Sequence, residues 1–473
     1  MPGSVVHERA GELFSRFSGD KTNGMKDGIN NIGFSVPYDI AVARTLRRTT
    51  REEREAALAE ACYNTELVPQ ELVYVDLHTD SAISAPSTAQ VAALIGGGSP
   101  EAGSGTTAAQ RFREIFGFPF VLPCMQGRAA ERIWAKLNVR EGTVVPGNML
   151  FPSTRYHIES NRAKVVDVIS EKAYELFSDD PFKADLDLAK LESVVKAHGP
   201  ENVSCIYVEL AVNSCGGHPV SLANLREVRA FAEARKIPVF LDACRILENS
   251  YFIQQREPGW QQRSIREIVR ETCSLADGLT MSALKDFLVP IGGFIATRDE
   301  KSYQKASLQQ FLDGGQPPAG ALAALALSLE EIFSSLTYVQ SRVEQVDDLW
   351  RKLAGKVPVV RPAAGHGVFI DAKSFLPAMP PERHPAEALA AYIFAVSGVR
   401  ATKGPPLTKN QIERGIELLR LAVPARRYLA GHMDDVAEAV LYAYSHRDEI
   451  RGLQRVEKPG RSKYDPPLFA PAA

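Results

Sequence analysis

"ADGLTMSALKDFLVPIGGFIAT" (276–297) sets a single lysine, Lys285, between two apolar runs. Lysine is rarely buried unless it is paired or reactive. Desolvation lowers the pKa of an isolated ammonium, and a neutral, desolvated amine is the form that makes a Schiff base. A lysine snorkelling out of a strand end is the competing reading. Upstream, "VFLDACR" (239–245) ends a strand with Asp242 and then Arg245. Ligands of α/β sheets bind beyond the carboxyl ends of the strands, so both side chains are expected at that crevice. An acid after one strand and a lysine after another suggest pyridoxal phosphate: the lysine links to the aldehyde and the carboxylate keeps the pyridine nitrogen protonated. An Asp at a strand end also serves as a helix cap or turn residue, so the pair alone leaves both readings open.

Around this pair the pattern is that of alternating strands and helices. "VVDVI" (165–169), "CIYVEL" (205–210) and "VFLDA" (239–243) read as strands. "SLANLREVRAFAEARK" (221–236) has Leu222, Leu225, Val228 and Phe231 on one helical face. Such alternation implies parallel βαβ units with right-handed crossovers. Thr50 with Glu53 fits a capping box for a helix in "TTREEREAALAEACYN". The stretch 319–355 is too long for a routine helix, and a bent one joining two domains is expected. "VFIDA" (368–372) and "LLRLAVP" (418–424), separated by "AEALAAYIFAVSG" (386–398), predict a smaller α+β domain. The expected division is an N-terminal arm (1–60), a large α/β domain (61–330) and a small C-terminal domain (331–473), with part of the arm packed on the last.

Five blocks carry a wider likeness: "MQGRAAE" (125–131), "GNMLFPSTRYH" (147–157), "VNSCGGHPVSLANL" (212–225), "LDACRILENSYFI" (241–253) and "MSALKDFLVPIGG" (281–293). Together they resemble the tryptophanase and tyrosine phenol-lyase family, from about residue 61 to "LRLAVPARRY" (419–428). Members are pyridoxal-phosphate β-eliminating lyases of fold type I, the aspartate-aminotransferase-like α/β architecture. The resemblance implies that Lys285 is the Schiff-base lysine, Asp242 the partner of the pyridine nitrogen and Arg245 the cation near the phenolate oxygen. It places Gln126, Gly127, Arg128 and Ser282 at the phosphate and Phe151 against the ring. Asn213 falls near the ring oxygen and the substrate carboxylate, Arg420 on the carboxylate itself, and Thr79 and Ser81 in the same pocket. His218, His366 and Cys244 lie in or near matching blocks and read as structural neighbours.

Departures from the family pattern cluster in "GGGSPEAGSG" (96–105). The family has a tyrosine there that acts as general acid on the departing ring. This chain has none, and Glu101 falls at about that place. The family's monovalent-cation carboxylate corresponds to Ser99, which puts a potassium requirement in question. Pro152 follows Phe151 where the family has a hydroxyl or an acid. "DGGQPPAG" (313–320) is shorter than the family's glycine-rich loop, and "VRATKGPPLTKN" (399–410) lacks the arginine used for phenol.

Bulk properties are those of an ordinary soluble globular protein. The chain has 473 residues, 45% hydrophobic and 24% charged, with a net charge of −2, so neither nucleic acid nor a membrane surface is an expected partner. No apolar run reaches the length of a membrane span. The six cysteines lack CxxC spacing, so no metal cage or disulfide framework is expected, and a cytoplasmic protein with reduced thiols is. The expected activity is α-deprotonation of an L-amino acid and β-elimination of its side chain, giving aminoacrylate, then pyruvate and ammonia. Unmodified tyrosine or tryptophan is not the expected substrate. Alternatives are β-replacement, retro-aldol cleavage or transamination on the same fold, or a cofactor-binding protein without lyase activity. A homodimer or homotetramer with shared sites is implied by the resemblance.

Overall fold

The computed structural model describes residues 43–97, 107–334, 337–404, 408–458 and 465–472, together with Asp39 and Gly460. Its centre is a seven-stranded sheet. The strands are β2 (Phe120–Cys124), β3 (Val144–Gly147), β4 (Lys164–Asp167), β5 (Ile206–Glu209), β6 (Val239–Asp242), β7 (Gly278–Ser282) and β8 (Gly293–Thr297), with β1 (Val75–Asp76) lying outside this sheet. The order is β2-β8-β7-β6-β5-β3-β4. Neighbours from β7 to β4 are parallel, and β8 runs antiparallel to both β7 and β2. Strands β3, β5, β6, β7 and β8 are buried along their whole length. Burial on both faces is why they read as continuous apolar runs rather than alternating ones.

Helices cover the sheet. Among those that position the site are α2 (Gly127–Asn138), α3 (Pro152–Ser160), α4 (Leu222–Glu233) and α5 (Ile246–Arg256), preceded in the chain by α1 (Arg51–Glu60). The capping box of α1 is formed, Thr50 accepting from Glu53 N–H. Helix α4 starts where Ser221 accepts from Asn224 N–H. The Glu257 carboxylate accepts from Leu222 and Ala223 N–H at 2.7 and 2.8 Å. Negative charge at a helix N-terminus is stabilising, since the first-turn amides are otherwise unpaired.

A second layer contains β9 (Gly367–Asp371), β11 (Thr402–Lys403) and β12 (Leu418–Ala422) in the antiparallel order β11-β12-β9. Beside it, β10 (Val399–Arg400) pairs in parallel with β1, so the segment around residue 75 joins this layer. Strands β13 (Leu453–Val456) and β14 (Leu468–Pro471) pair antiparallel, ordering the C-terminal stretch. Helix α8 (Pro385–Ser397) packs against α1, adding Phe394 and Ala391 to a core with Leu58 and Ala57. The long helical stretch is two helices, α6 (Ala319–Ser334) and α7 (Thr337–Leu353), bent by 76°. Helix α7 sends Tyr338, Val339 and Val343 into the large core and Val346, Leu349 and Leu353 into that of the second layer. No single helix among the described residues is long and apolar enough to cross a membrane.

Candidate active site

The site lies at the carboxyl ends of β5, β6 and β7. Parallel register sets Glu209 beside Asp242, and Asp242 beside Thr280. Asp242 is buried, and its Oδ1 accepts the Cys244 N–H at 3.0 Å. Cys244 Sγ in turn accepts the Ser282 N–H at 3.1 Å, tying the ends of β6 and β7 together. Lys285 follows three residues after β7, with Nζ 5.5 Å from the centre of the Phe151 ring. Phe151 caps α3, and Pro152 opens that helix with the ring-fixed φ that suits a first helical position.

Lys285 departs from the expectation of an isolated amine. Burial pulls its ammonium down, and Arg245 adds to that. Cys244, Asp242 and Asp80 outweigh both, so in this state the group sits above its ordinary value. The neighbouring carboxylates of Asp242 and Asp80 thus offset part of the water that burial removes from the lysine.

On one side of Lys285 the chain builds an anion cradle. Gln126 precedes α2 without giving it a side-chain cap, while its carbonyl accepts the Ala129 and Ala130 N–H groups at 3.1 and 3.2 Å. A Cβ on Gly127 would stand 2.6 Å from the Ser282 Cβ, so only glycine lets the turn approach β7 this closely. Gln126 and Arg128 are exposed at the rim, whereas Ser282 is buried. A helix N-terminus of this kind favours phosphate.

The other side is cationic. Arg245 is buried and donates from Nη2 to both carboxylate oxygens of Asp80, at 2.8 and 3.0 Å. Asp80 lies between Thr79 and Ser81, whose backbone is folded by the Ser81 N–H bond to Thr79 Oγ1. The Ala82 N–H donates to Leu284 O, which holds this segment against the residue before Lys285. Arg420, from β12, donates to Asn213 Oδ1 at 3.1 Å and to His78 O at 2.8 Å. Burial lowers its guanidinium to about 10, with Asp80 opposing and Arg245 assisting. Arg420 Nε and Asn213 Nδ2 are buried without protein partners. Unpaired buried donors are rare and call for an acceptor.

The fold thus brings together Lys285, Asp242, Arg245, Ser282, Phe151, Asn213, Arg420, Thr79, Ser81 and the 126–128 turn. Glu101 and Ser99 lie outside the described residues. Asp80 went unread, although it stands between two residues that were singled out. Two buried acids behind Asp242 were missed as well. Burial, then the Asp242 charge, pushes Glu131 up to about 7 and Glu209 up to about 8. His366, read as a structural neighbour, is hydrogen-bonded into the site: Nδ1 meets Glu248 Oε1 at 2.9 Å and Nε2 meets Asn213 Oδ1 at 3.3 Å. Glu248 continues to Arg342, and Arg342 to Asp286, the residue after Lys285. Among the described residues, no group of three or more His, Cys, Asp or Glu side chains is arranged to hold a metal ion.

Comparison with known proteins agrees with this geometry. The family model described as beta-eliminating lyase matches residues 76–439. The tyrosine phenol-lyase of Symbiobacterium sp. (strain SC-1) is 42% identical over 454 residues, covering 93% of this chain and 99% of that one. That of Pasteurella multocida is 40% identical over 452 residues, covering 92% and 98%. Among solved structures, one described as SPT with PLP superposes with a TM-score of 0.59 at 14% identity, over 84% of this chain and 97% of that one. The apo-BacF structure from Bacillus subtilis gives 0.55 at 16% identity, over 80% and 96%. At such identities the structural likeness speaks for the fold alone.

Proposed function

The chain belongs to the beta-eliminating lyase family, and from that premise we propose that it expels the side chain of an L-α-amino acid, leaving pyruvate and ammonia. It has the fold of the type I pyridoxal-phosphate enzymes and is a pyridoxal-phosphate-dependent lyase. The observation that carries the residue assignment is the convergence of Lys285, Asp242 and Arg420 on one crevice that also holds an orphaned buried donor on Asn213. The cofactor fits the residues present. The uncapped start of α2, with Gly127 and Ser282, would hold its phosphate, aided at the rim by Gln126 and Arg128. Phe151 would cover the ring, and Asp242 would keep a proton on the pyridine nitrogen. Arg245, fixed by Asp80, would face the ring oxygen. When bound, pyridoxal phosphate supplies an electron-withdrawing ring that acidifies the α-C–H bond of an attached amino acid.

The remaining steps belong to side chains of this protein. Arg420 pairs with the substrate carboxylate, and Asn213 donates beside it. Thr79 and Ser81 line the approach. Lys285, released as a neutral amine when the substrate amine takes its place, would remove the α-proton, a transfer made effectively intramolecular by its position in the same crevice. In this reading residues 61–330 carry the cofactor and residues 331–473 bring Arg420, while most of the expected arm (1–60) lies outside the described residues. The assembly is a homodimer or homotetramer with shared sites, in the cytoplasm.

The leaving group follows from what 96–105 lacks. A carbon leaving group such as a phenol ring must be protonated as it departs, and general-acid catalysis is worth about 10²–10⁴-fold. No tyrosine is present in that segment, so a group that leaves as a stabilised sulfur or oxygen anion is favoured, with Glu101 as the available acid. A second reading, release of phenol from tyrosine, is favoured by the names of the relatives. A side-by-side pyruvate assay with tyrosine, tryptophan and an S-alkylcysteine separates them. Faster turnover of the thioether supports the first reading. Turnover of tyrosine at an equal or higher rate overturns it.

A further inference from the structure

Asn213 is asked to satisfy two neighbours with one oxygen. Its Oδ1 accepts from Arg420 Nη1 at 3.1 Å, and the same oxygen faces His366 Nε2 at 3.3 Å. On the other side of the ring, His366 Nδ1 lies 2.9 and 3.1 Å from the two oxygens of Glu248. Both ring nitrogens therefore point at acceptors. A neutral imidazole carries one N–H and can serve only one of them, whereas the imidazolium serves both. Turning the amide does not resolve the conflict, because it would present Nδ2 to Arg420. With Oδ1 fixed, Nδ2 is left as a buried donor without a protein partner.

The surroundings of His366 are fully packed. Glu248 and Arg245 face it from α5 and its start, Asn213 from the turn after β5, and Phe369 from β9, edge-on at 5.7 Å. A Cβ on Gly217 would come within 2.8 Å of its Cε1, so only glycine lets the backbone pass this close to the ring. Asp80 adds negative charge and Arg342 reaches it through Glu248. Burial and Arg245 hold the imidazolium below its ordinary value, against Glu248 and Asp80. An anion arriving at Arg420 brings one more negative charge to this balance.

We propose that His366 is a positioning residue that takes up a proton when a carboxylate binds Arg420, and that the imidazolium locks the Asn213 amide with its oxygen on Arg420 and its N–H groups toward the ligand. The proposal rests on the assignment of Arg420 as the carboxylate grip. Linkage fixes its sign. The proton is bound more tightly in the complex than in the free protein. Affinity therefore rises as pH falls from the pKa of the complex to that of the free protein, and is flat outside that window.

The test uses the cofactor-loaded protein and 3-phenylpropionate, which has a carboxylate but no amine to react with the cofactor. Its inhibition constant is measured from pH 5 to 8. In the unaltered protein it should rise by up to about tenfold per pH unit within the window. His366→Gln, which cannot titrate, should flatten the profile while reconstitution with pyridoxal phosphate, followed by absorbance, keeps its affinity. Glu248→Gln, which removes the charge that retains the proton, should move the rise to lower pH. A flat profile in the unaltered protein overturns the proposal, as does an undiminished slope in His366→Gln. If His366→Gln fails to take up cofactor, the Glu248→Gln profile decides: a rise displaced to lower pH supports the proposal, an unmoved one overturns it. Arg420→Ala separates the two levels of the argument. Unchanged binding of 3-phenylpropionate there refutes the carboxylate grip itself.

Discussion

The Asp80–Arg245 pair offers the sharpest energetic test of the site. Both side chains are buried, at 2% and 3% exposure, and Nη2 is shared between two oxygens at 2.8 and 3.0 Å. Removing one member of a buried pair costs about 3–5 kcal/mol, because the other charge is left unpaired in a medium that cannot solvate it. In Asp80→Asn the amide oxygen still accepts one bond, and Glu248 remains 3.8 Å from Arg245 Nε. The loss should thus fall near the lower end, about 3 kcal/mol, a sizeable part of the ~5–15 kcal/mol by which domains are stable. Replacing the pair altogether, Asp80→Asn with Arg245→Met, removes the stranded charge and should recover part of that loss. Burial pushes the Asp80 carboxyl up, but Arg245, His366, Arg342 and Arg420 hold it well below the usual carboxylate range. A depressed folded pKa stabilises above the unfolded value of about 3.9 and loses that contribution as pH falls toward the folded one. Equilibrium unfolding in urea at pH 7, and again as pH is lowered below about 4, measures both effects. A single-variant loss under about 1 kcal/mol, or a double variant no more stable than the single, would refute the reasoning.

Borohydride reduction of the cofactor-loaded protein should fix the label on Lys285 in peptide maps; a label on another lysine removes it from its role. Arg420→Ala should raise KM for the amino acid by about 30-fold or more while cofactor affinity holds, since a desolvated charge pair is worth about 2–5 kcal/mol; equal losses in both would make Arg420 structural. Glu209, pushed up to about 8 by burial and by Asp242, stays protonated in the fold while its unfolded counterpart ionises above about 4.3. The native protein should therefore lose stability relative to Glu209→Gln as pH climbs from 5 to 8, and parallel urea midpoints across that range would count against the assignment.

Much of this was legible in local sequence, and the rest fails for identifiable reasons. β5 and β6 stand out because apolar runs of strand length end in Glu209 and Asp242, and β12 because its aliphatic run carries a single charge. Lys285 stands out because a charge inside an apolar run is anomalous wherever it occurs. Arg420 breaks β12 in the same way. Asp80 gives no such signal: "LHTDS" is ordinary loop composition, and its counter-ion is 165 residues further along the chain. The chain of contacts from Arg420 through Asn213, His366, Glu248 and Arg342 to Asp286 joins six segments that no periodicity connects. Lys285 was read as a desolvated, neutral amine for the same reason. Its compensating acids come from other segments, so burial was visible and solvation by neighbours was not. The likeness to a family supplied roles for residues, and the folded arrangement supplied the contacts that give those roles a physical cause.

Helix α7 is a rigid rod anchored at both ends, and it therefore works as a lever arm. Arg342 lies near one end, against Glu248 and Asp286, and Leu353 near the other, in the core of the second layer. Eleven residues of helix separate them, about 16 Å at 1.5 Å per residue. Tilting such an arm by about 5° about its far end moves the guanidinium by roughly 1.4 Å, and a misplacement of ~1 Å at a reacting centre can cost about 10²-fold in rate. Packing around Leu349 and Leu353 thereby bears on the site at a distance: a change of side-chain volume there is expected to lower stability and, through the placement of Arg342, to alter turnover as well.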